Sequence, residues 1–311
     1  MPQPSSTACA PEPVRVPAVR PLPFPVASVG YLVEHGPRET LRYQVHSRFQ
    51  HALNLTSSSG ELLTLLSPRY PNLPTAIRVA TPAGWDWRHQ SDSRFSLEKN
   101  VLRGENWSAD LNRVPCWRPE PRRAPDTAAL GAVLAAYPTL ASQLARRCRL
   151  HEVRSSLQLV PGWPSEGRLP RLNPGDTGLA LEHGISELIG YGSGLTPDGD
   201  DYLLGYLSAL WPWQRFADIA VHLKSLRRVM RSQLHRTTSI SRHYLALALQ
   251  GHFSQPIDHL TSVLMRGDAL SDVFHSAGQV MEFGSASGVD CLAGFLHGIR
   301  TLETVTQAQA S

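Results

Sequence analysis

The chain reads as an α+β protein: a small β-rich N-terminal domain followed by a mainly helical C-terminal domain with two related Gly-loop/helix elements. Three observations lead there. From Val26 to Arg118 the apolar residues come in short β-branched or alternating runs, such as VASVGYLV and ALNL, which is strand patterning. Beyond Thr127 they recur at helical spacing in Ala/Leu-rich stretches. Between these regions lies Asn112–Asp126 (NRVPCWRPEPRRAPD), whose prolines and arginines have linker composition. The expected division is a disordered Pro-rich tail over 1–25, a β-rich domain over 26–118 and a helical domain over 119–311.

The tail is expected to lack structure because its repeated prolines forbid helix and ladder pairing. Val26–Val33 is the first strand candidate, and Leu41–Leu55 alternates around Tyr43, Val45 and Phe49. Ala52–Leu55, Thr56–Gly60 and Glu61–Leu66 read as strand, turn, strand, and Ala76–Ala80 as a further strand. Trp85, Trp87 and Trp107 are expected to plug the domain's edges. Thr127–Arg147 is a helix expected to break near Pro138, and Leu157–Pro174, with its prolines, is a loop. Helices follow over Asp176–Ile189, Leu203–Trp211, Phe216–His235, Thr237–Gln250, Ile257–Arg266, Ala269–Met281 and Asp290–Val305, then a polar tail. The Phe216–His235 helix carries Lys224, Arg227, Arg228 and Arg231, which read as a solvated face.

The chemistry concentrates in Ile189–Leu210 (IGYGSGLTPDGDDYLLGYLSAL). Glycines at 190, 192, 194 and 199 surround Thr196-Pro197, which is a helix-start pairing of N-cap hydroxyl and first-position proline. A Gly-rich loop entering a helix N-terminus offers unpaired N–H groups and partial positive charge to an anion. A shift of 290 − 201 = 89 positions lays this pattern on FGSASGVDCLAGFLHG, with Gly199 on Gly288, Asp201 on Asp290, Leu203 on Leu292 and Gly205 on Gly294. Two such starts suggest two helix N-termini facing one site. Close helix packing through Gly205 and Gly294, with the aspartates as caps, is compatible with it.

The anion-binding candidates are therefore Gly192, Ser193, Gly194 and Thr196 on one loop, and Gly284, Ser285, Ser287 and Gly288 on the other. His235–His243 (HRTTSISRH) adds Arg236, Ser241 and Arg242, a combination of guanidinium forks and hydroxyls that reads oxyanions. The alternative there is a helix–helix corner in which Thr237 or Ser239 caps and the arginines face water. Asp200, Asp201, Asp290 and Arg242 are the catalytic candidates. Three acids in one first turn, with Asp198, also favour the helix dipole without any ligand. D-G-D-D is not a calcium-loop spacing, so no metal is expected. The loop lacks the Lys-Ser/Thr of a phosphate loop, follows no strand as a dinucleotide fingerprint does, and contains no G-x-S-x-G elbow. No cofactor is expected.

The bulk numbers exclude several classes. A net charge of +4 over 311 residues, without a Lys/Arg block, gives no nucleic-acid footprint. It does suit a small anionic substrate. No signal peptide and no run of roughly 20 apolar residues is visible, so a cytoplasmic protein with no membrane partner is expected. Cys9, Cys116, Cys148 and Cys291 form no C-x-x-C and read as free thiols. Cys291, near a helix start, is read as a small buried residue rather than a nucleophile.

GSGLTPDGDDYLLGYLSA, SISRHYLALALQG and GSASGVDCLAGFLHG resemble the signature regions of the AllH family, and LNLTSSSGELLTLLSP resembles that family's N-terminal strand-turn-strand. The resemblance runs from about Phe49 to Gly298, and the chain departs from it in its Pro-rich N-terminus and basic balance. It implies a subunit of the oxamate carbamoyltransferase assembly of purine (allantoin) catabolism, working beside two larger partner subunits and a carbamate kinase. The implied reaction converts oxalurate and phosphate to oxamate and carbamoyl phosphate. On that reading helix-start N–H groups hold phosphate or the oxamate carboxylate, Arg236 or Arg242 clamps it, and Asp201 or Asp290 orients the amide nitrogen. Activity is then expected only in the complex. The alternative is a non-catalytic scaffold or anion-binding subunit whose partner chains do the chemistry.

Overall fold

The computed structural model describes residues 21–33, 40–122, 124–151, 153, 155, 157, 172 and 178–310, with side chains to 304. Residues 1–20 of the tail expected over 1–25, and most of the expected Leu157–Pro174 loop, lie outside these residues. The strands are β1 (Leu22–Pro23), β2 (Val26–Gly30), β3 (Leu41–Arg48), β4 (Ala52–Ser57), β5 (Leu62–Leu66), β6 (Ala76–Val79), β7 (Arg94–Glu98), β8 (Val101–Arg103), β9 (Trp107–Asp110) and β10 (Cys116–Trp117). They form one mixed sheet in the order β1-β9-β8-β7-β3-β4-β5-β6-β2-β10.

The β4–β5 hairpin closes through Ser57–Gly60, with Gly60 at φ 84° and its N–H on the Ser57 carbonyl at 3.0 Å. Leu22–Pro23, placed by sequence in the disordered tail, pairs parallel with β9. Phe24 follows it into the core, stacked on Trp107 with ring centroids 5.2 Å apart. Trp87 and Trp107 are 2% and 0% exposed and Trp85 meets Phe24 edge-on. The tryptophans therefore form the centre of the sheet's core rather than plugs at its edges. A ring that reaches across a narrow sheet buries more area than one at its rim.

The helices are α1 (Thr127–Leu150), α2 (Leu179–Leu188), α3 (Asp198–Leu210), α4 (Ala217–Gln233), α5 (Ser239–Ala248), α6 (Gln255–Arg266), α7 (Leu270–Met281) and α8 (Ser287–Ala310). Asp126 caps α1, accepting from the Ala129 N–H at 2.8 Å. Contrary to the expected break, α1 continues through Pro138. The proline costs about 3 kcal/mol. Val133, Ala136, Leu140 and Leu144 are buried on either side, and each large apolar side chain returns about 1.5–3 kcal/mol. By length and mean hydropathy (1.3) α1 is apolar enough to cross a membrane, and it packs on α6, α7 and α8. Helix α8 begins at Ser287, three residues before the expected Asp290, so Gly288 belongs to the helix.

The helical core is centred on α3 and α8, which pack more extensively on each other than any other pair. They run parallel. A Cβ on Gly205 would stand 1.8 Å from the Cys291 carbonyl oxygen, and one on Gly294 1.9 Å from that of Tyr202. Since 202 + 89 = 291 and 205 + 89 = 294, the contact is reciprocal, as a local pseudo-two-fold axis between the helices requires. The lead-ins to both helices match as well. The Gly199 N–H bonds the Tyr191 carbonyl after α2, and the Gly288 N–H bonds the Phe283 carbonyl after α7, both at 2.9 Å.

Polar contacts join sheet and helices. His46 Nε2 meets Ser239 Oγ at 2.5 Å and Thr75 Oγ1 meets His243 Nε2 at 2.9 Å. Asn72 donates to Gln255 Oε1 from backbone and side chain, and Tyr31 Oη meets His252 Nδ1 at 2.8 Å. Arg122 pairs with Asp258 of α6.

Candidate functional site

The N-terminal ends of α3 and α8 lie side by side, and Thr196 Oγ1 and Ser287 Oγ bridge them at 3.0 Å. Asp201, in the first turn of α3, sits between these hydroxyls and a cavity of about 80 Å³ that reaches the sheet. Leu73 and Pro74 of the β5–β6 connection, Tyr244 of α5 and Phe253 complete the walls. As a residue Asp201 is only partly covered, but its Oδ2 is sealed from solvent and has no hydrogen-bond partner among the described residues. Burial pushes its carboxyl well above the ordinary range. A hydrogen bond from Ser287 opposes this, the nearby Asp290 and Asp200 add to it, and Thr196 opposes it. Burial raises the Tyr244 phenol, against a hydrogen bond with Thr64 of β5. The site is thus a carboxyl raised well above its ordinary range, two hydroxyls and an apolar pocket, at the positive end of two parallel helices.

The other sequence candidates divide. Asp200 is a structural clamp: its Oδ1 accepts from the Gly190 N–H at 2.9 Å and its Oδ2 from Thr237 Oγ1, with Ser241 a third donor. These bonds tie the loop before α3 to the start of α5, and they explain why Ser241 is buried rather than facing a ligand. Burial raises the Asp200 carboxyl, and the Thr237, Gly190 and Ser241 bonds lower it.

Asp290 is 0% exposed and bonds Ser155 Oγ through Oδ1. Burial pushes it up to about 8, against the Ser155 bond and with help from Asp198. The two-fold that relates it to Asp201 carries it to the other side of the helix pair. There its field acts on Cys148 of α1. The two helix starts are adjacent, yet their matched aspartates do not share a pocket.

The arginines expected to clamp an anion are engaged elsewhere. Arg242 donates to the Leu234 carbonyl at 3.0 Å and the Thr237 carbonyl at 3.3 Å, which closes the end of α4. Arg236 donates to Gln233. Thr238, not Thr237 or Ser239, caps α5, accepting from the Ser241 N–H at 3.1 Å.

The first-turn amides of both helices, Gly288 among the expected loop donors, are used within their own helix starts. The Gly199, Asp200 and Asp201 N–H groups bond Tyr191 and Pro197 carbonyls, and those of Gly288, Val289 and Asp290 bond Phe283 and Ala286 carbonyls. Gly192, at φ 111°, wraps over the Asp198 amide, where a Cβ would come within 2.7 Å of its nitrogen. Ser193, Gly194, Gly284 and Ser285 are exposed. Thr196 binds across to α8 instead of capping α3, whose N-cap is Pro197.

Cys116, Cys148 and Cys291 are free, and burial pushes the Cys291 thiol well up. Among the described residues no group of three or more His, Cys, Asp or Glu side chains is placed to hold a metal ion. Sequence reasoning missed Leu73 and Pro74, which carry no chemical signal, and Tyr244, which lay unremarked inside the SISRHYLALALQG segment.

Comparison with known families gives two matches. Residues 188–299 match the family described as oxamate carbamoyltransferase subunit AllH, and residues 27–116 match the AllH family N-terminal domain. No solved structure matches the chain. The first match begins at the end of α2 and spans both helix starts and the Asp201 cavity; the second covers the sheet that closes that cavity. The chain belongs to the AllH family, and with it to the subunits of oxamate carbamoyltransferase.

Proposed function

We propose that this subunit binds the carbamoyl end of the substrate at Thr196, Asp201 and Ser287, within a cytoplasmic assembly that converts oxalurate and phosphate to oxamate and carbamoyl phosphate in purine nitrogen catabolism. The observation that carries this reading is the Asp201 carboxyl, raised far above its ordinary range with an unpartnered Oδ2 beside a small cavity. A neutral carboxyl presents an O–H donor and a C=O acceptor side by side, which complements the amino and carbonyl groups on one face of a carbamoyl group. The cavity of about 80 Å³ suits a group of that size.

In phosphorolysis a phosphate oxygen forms a bond to the carbamoyl carbon, and the bond from that carbon to the oxamate nitrogen breaks. The departing nitrogen gains one proton and the phosphate loses one. Neutral Asp201 supplies the first and takes up the second, so no net proton is left over. Two parallel helix N-termini stabilise the charge that develops on the tetrahedral oxygen. This places the recognition on side chains at the two helix starts, where the sequence alone suggested the loop amides.

The test is calorimetry of the full chain with oxamate, whose terminal amide presents the same amino–carbonyl pair as the carbamoyl end. Binding by wild type, kept by Asp201→Asn and abolished by Asp201→Ala, supports the reading, because Asn retains the donor–acceptor pair. A folded wild-type chain that takes up no oxamate, and is needed only for assembly of its partners, assigns it the scaffold role instead.

A further inference from the structure

Next to the Asp201 cavity lies a second, larger space of about 570 Å³, between the segment after β5 and helices α6 and α7. The two share Pro256 and Phe283 in their walls, so one opens beside the other. Arg69, Arg78, His259, Gln255 and Gln279 line the larger cleft, and the single acid there is the exposed Glu282.

Neither guanidinium has a carboxylate partner among the described residues. Arg78 donates to the Pro68 carbonyl and, at 3.4 Å, to Ser28, while its Nε is sealed and unpartnered. Arg69 lies over the Tyr70 ring at 5.1 Å and donates to its hydroxyl at 3.2 Å. Tyr70 thus holds an exposed guanidinium in place without neutralising it. Two unneutralised arginines in a concave wall concentrate small anions, and a guanidinium fork fits a carboxylate in particular. The exposed arginines of the α5 start are engaged with their own chain, whereas this cleft adjoins the Asp201 cavity through Pro256 and Phe283.

We propose that the Arg69–Arg78 cleft is the carboxylate subsite of this chain, taking the charged end of a small carboxylate–amide substrate whose neutral end reaches Asp201 past Phe283. This rests on the reading of Asp201 given above. The two compartments divide the ligand by chemistry. The charged end stays in the open, solvated cleft, and the uncharged end enters the apolar cavity, where a bare carboxylate is costly to bury.

The experiment is calorimetry on the full-length chain with oxamate and with its neutral ethyl ester, in wild type, Arg69→Ala, Glu282→Gln and Asp201→Ala. Arg69 and Glu282 are exposed, so both variants fold. Arg69→Ala is expected to weaken oxamate about tenfold and leave the ester unchanged. Glu282→Gln tightens oxamate a few-fold by removing the opposing charge, and added salt weakens oxamate but not the ester. If Arg69→Ala and Glu282→Gln leave oxamate affinity at the wild-type value while Asp201→Ala abolishes it, the carboxylate subsite is wrong and the Asp201 site stands. If the two rim variants act and Asp201→Ala does not, the cleft stands and the Asp201 reading falls. Absence of oxamate binding by the folded wild-type chain overturns both.

Discussion

The parallel contact of α3 and α8 makes Gly205→Ala the most informative stability variant. A new Cβ would stand 1.8 Å from the Cys291 carbonyl oxygen and 2.9 Å from the Phe295 nitrogen, both backbone atoms of α8. Carbon–heavy-atom contacts settle near 3.5 Å, so the helices must part by more than about 1 Å. Overpacking a core typically costs 1–3 kcal/mol, occasionally more, and here the obstacle is a helix backbone that no rotamer change relieves. Against this, alanine gains roughly 1 kcal/mol of helix propensity over glycine.

The net expectation is a loss of about 2 kcal/mol or more, read as a lower midpoint in urea at unchanged slope. Gly294→Ala should match it, because its Cβ would meet the Tyr202 carbonyl at 1.9 Å. Gly131→Ala in α1 is the control, since its Cβ would meet nothing within 4 Å and the propensity gain should appear as stabilisation of up to about 1 kcal/mol. Gly205→Ala and Gly131→Ala changing stability by the same amount and sign would refute the reciprocal contact.

Further outcomes follow from buried titrating groups and their partners. Asp290, raised to about 8, binds more protons folded than unfolded between about pH 4 and 8. Stability should therefore fall as pH rises through that window, by at most about 6 kcal/mol; urea midpoints against pH will show it, and Asp290→Asn should flatten the slope. His243, lowered to about 4 by burial, contributes stability that is present above the unfolded histidine value and lost as pH falls towards 4. His243→Gln should remove part of that acid-side loss. Thr237→Val takes a hydroxyl from the buried Asp200 carboxylate and should cost about 1–3 kcal/mol in urea unfolding. Arg242→Ala, because its guanidinium bonds backbone carbonyls at the end of α4, should lower stability while leaving oxamate affinity within about twofold of wild type.

Much of the fold was legible because its signals are local. The alternation in Leu41–Leu55 and the strand-turn-strand pattern of Ala52–Leu66 anticipate β3, β4 and β5, and the 89-residue echo anticipates two helices packed through Gly205 and Gly294. What stayed hidden depends on distant partners. The two-residue strands at the sheet edges, flanked by prolines, become strands only because β9 and β2 present free edges to them. Pro138 stays inside a helix because the surrounding side chains are buried.

The candidate site was half legible for the same reason. Sequence spacing shows that Asp200 and Asp201 are neighbours, but not that one turns to Thr237 and the other to the cavity. It brings Arg236 and Arg242 near hydroxyls without showing that both guanidiniums fold back onto the end of α4. Arg69 and Arg78, far before the glycine loop in sequence, reach the neighbourhood of Asp201 only because the sheet packs against α6 and α7.

The most direct test of the Asp201 assignment is carbamoyl transfer by the assembly reconstituted with its partner subunits, comparing Asp201→Asn with Asp290→Asn. The two residues occupy matched positions in α3 and α8, and both are buried acids with raised carboxyls. Only Asp201 opens on the cavity. The account predicts that Asp201→Asn lowers kcat about a hundredfold or more with KM little changed, because the proton donor is gone and the binding pair remains. Asp290→Asn should transfer carbamoyl groups at the wild-type rate. Equal rates for both variants and wild type would contradict the assignment.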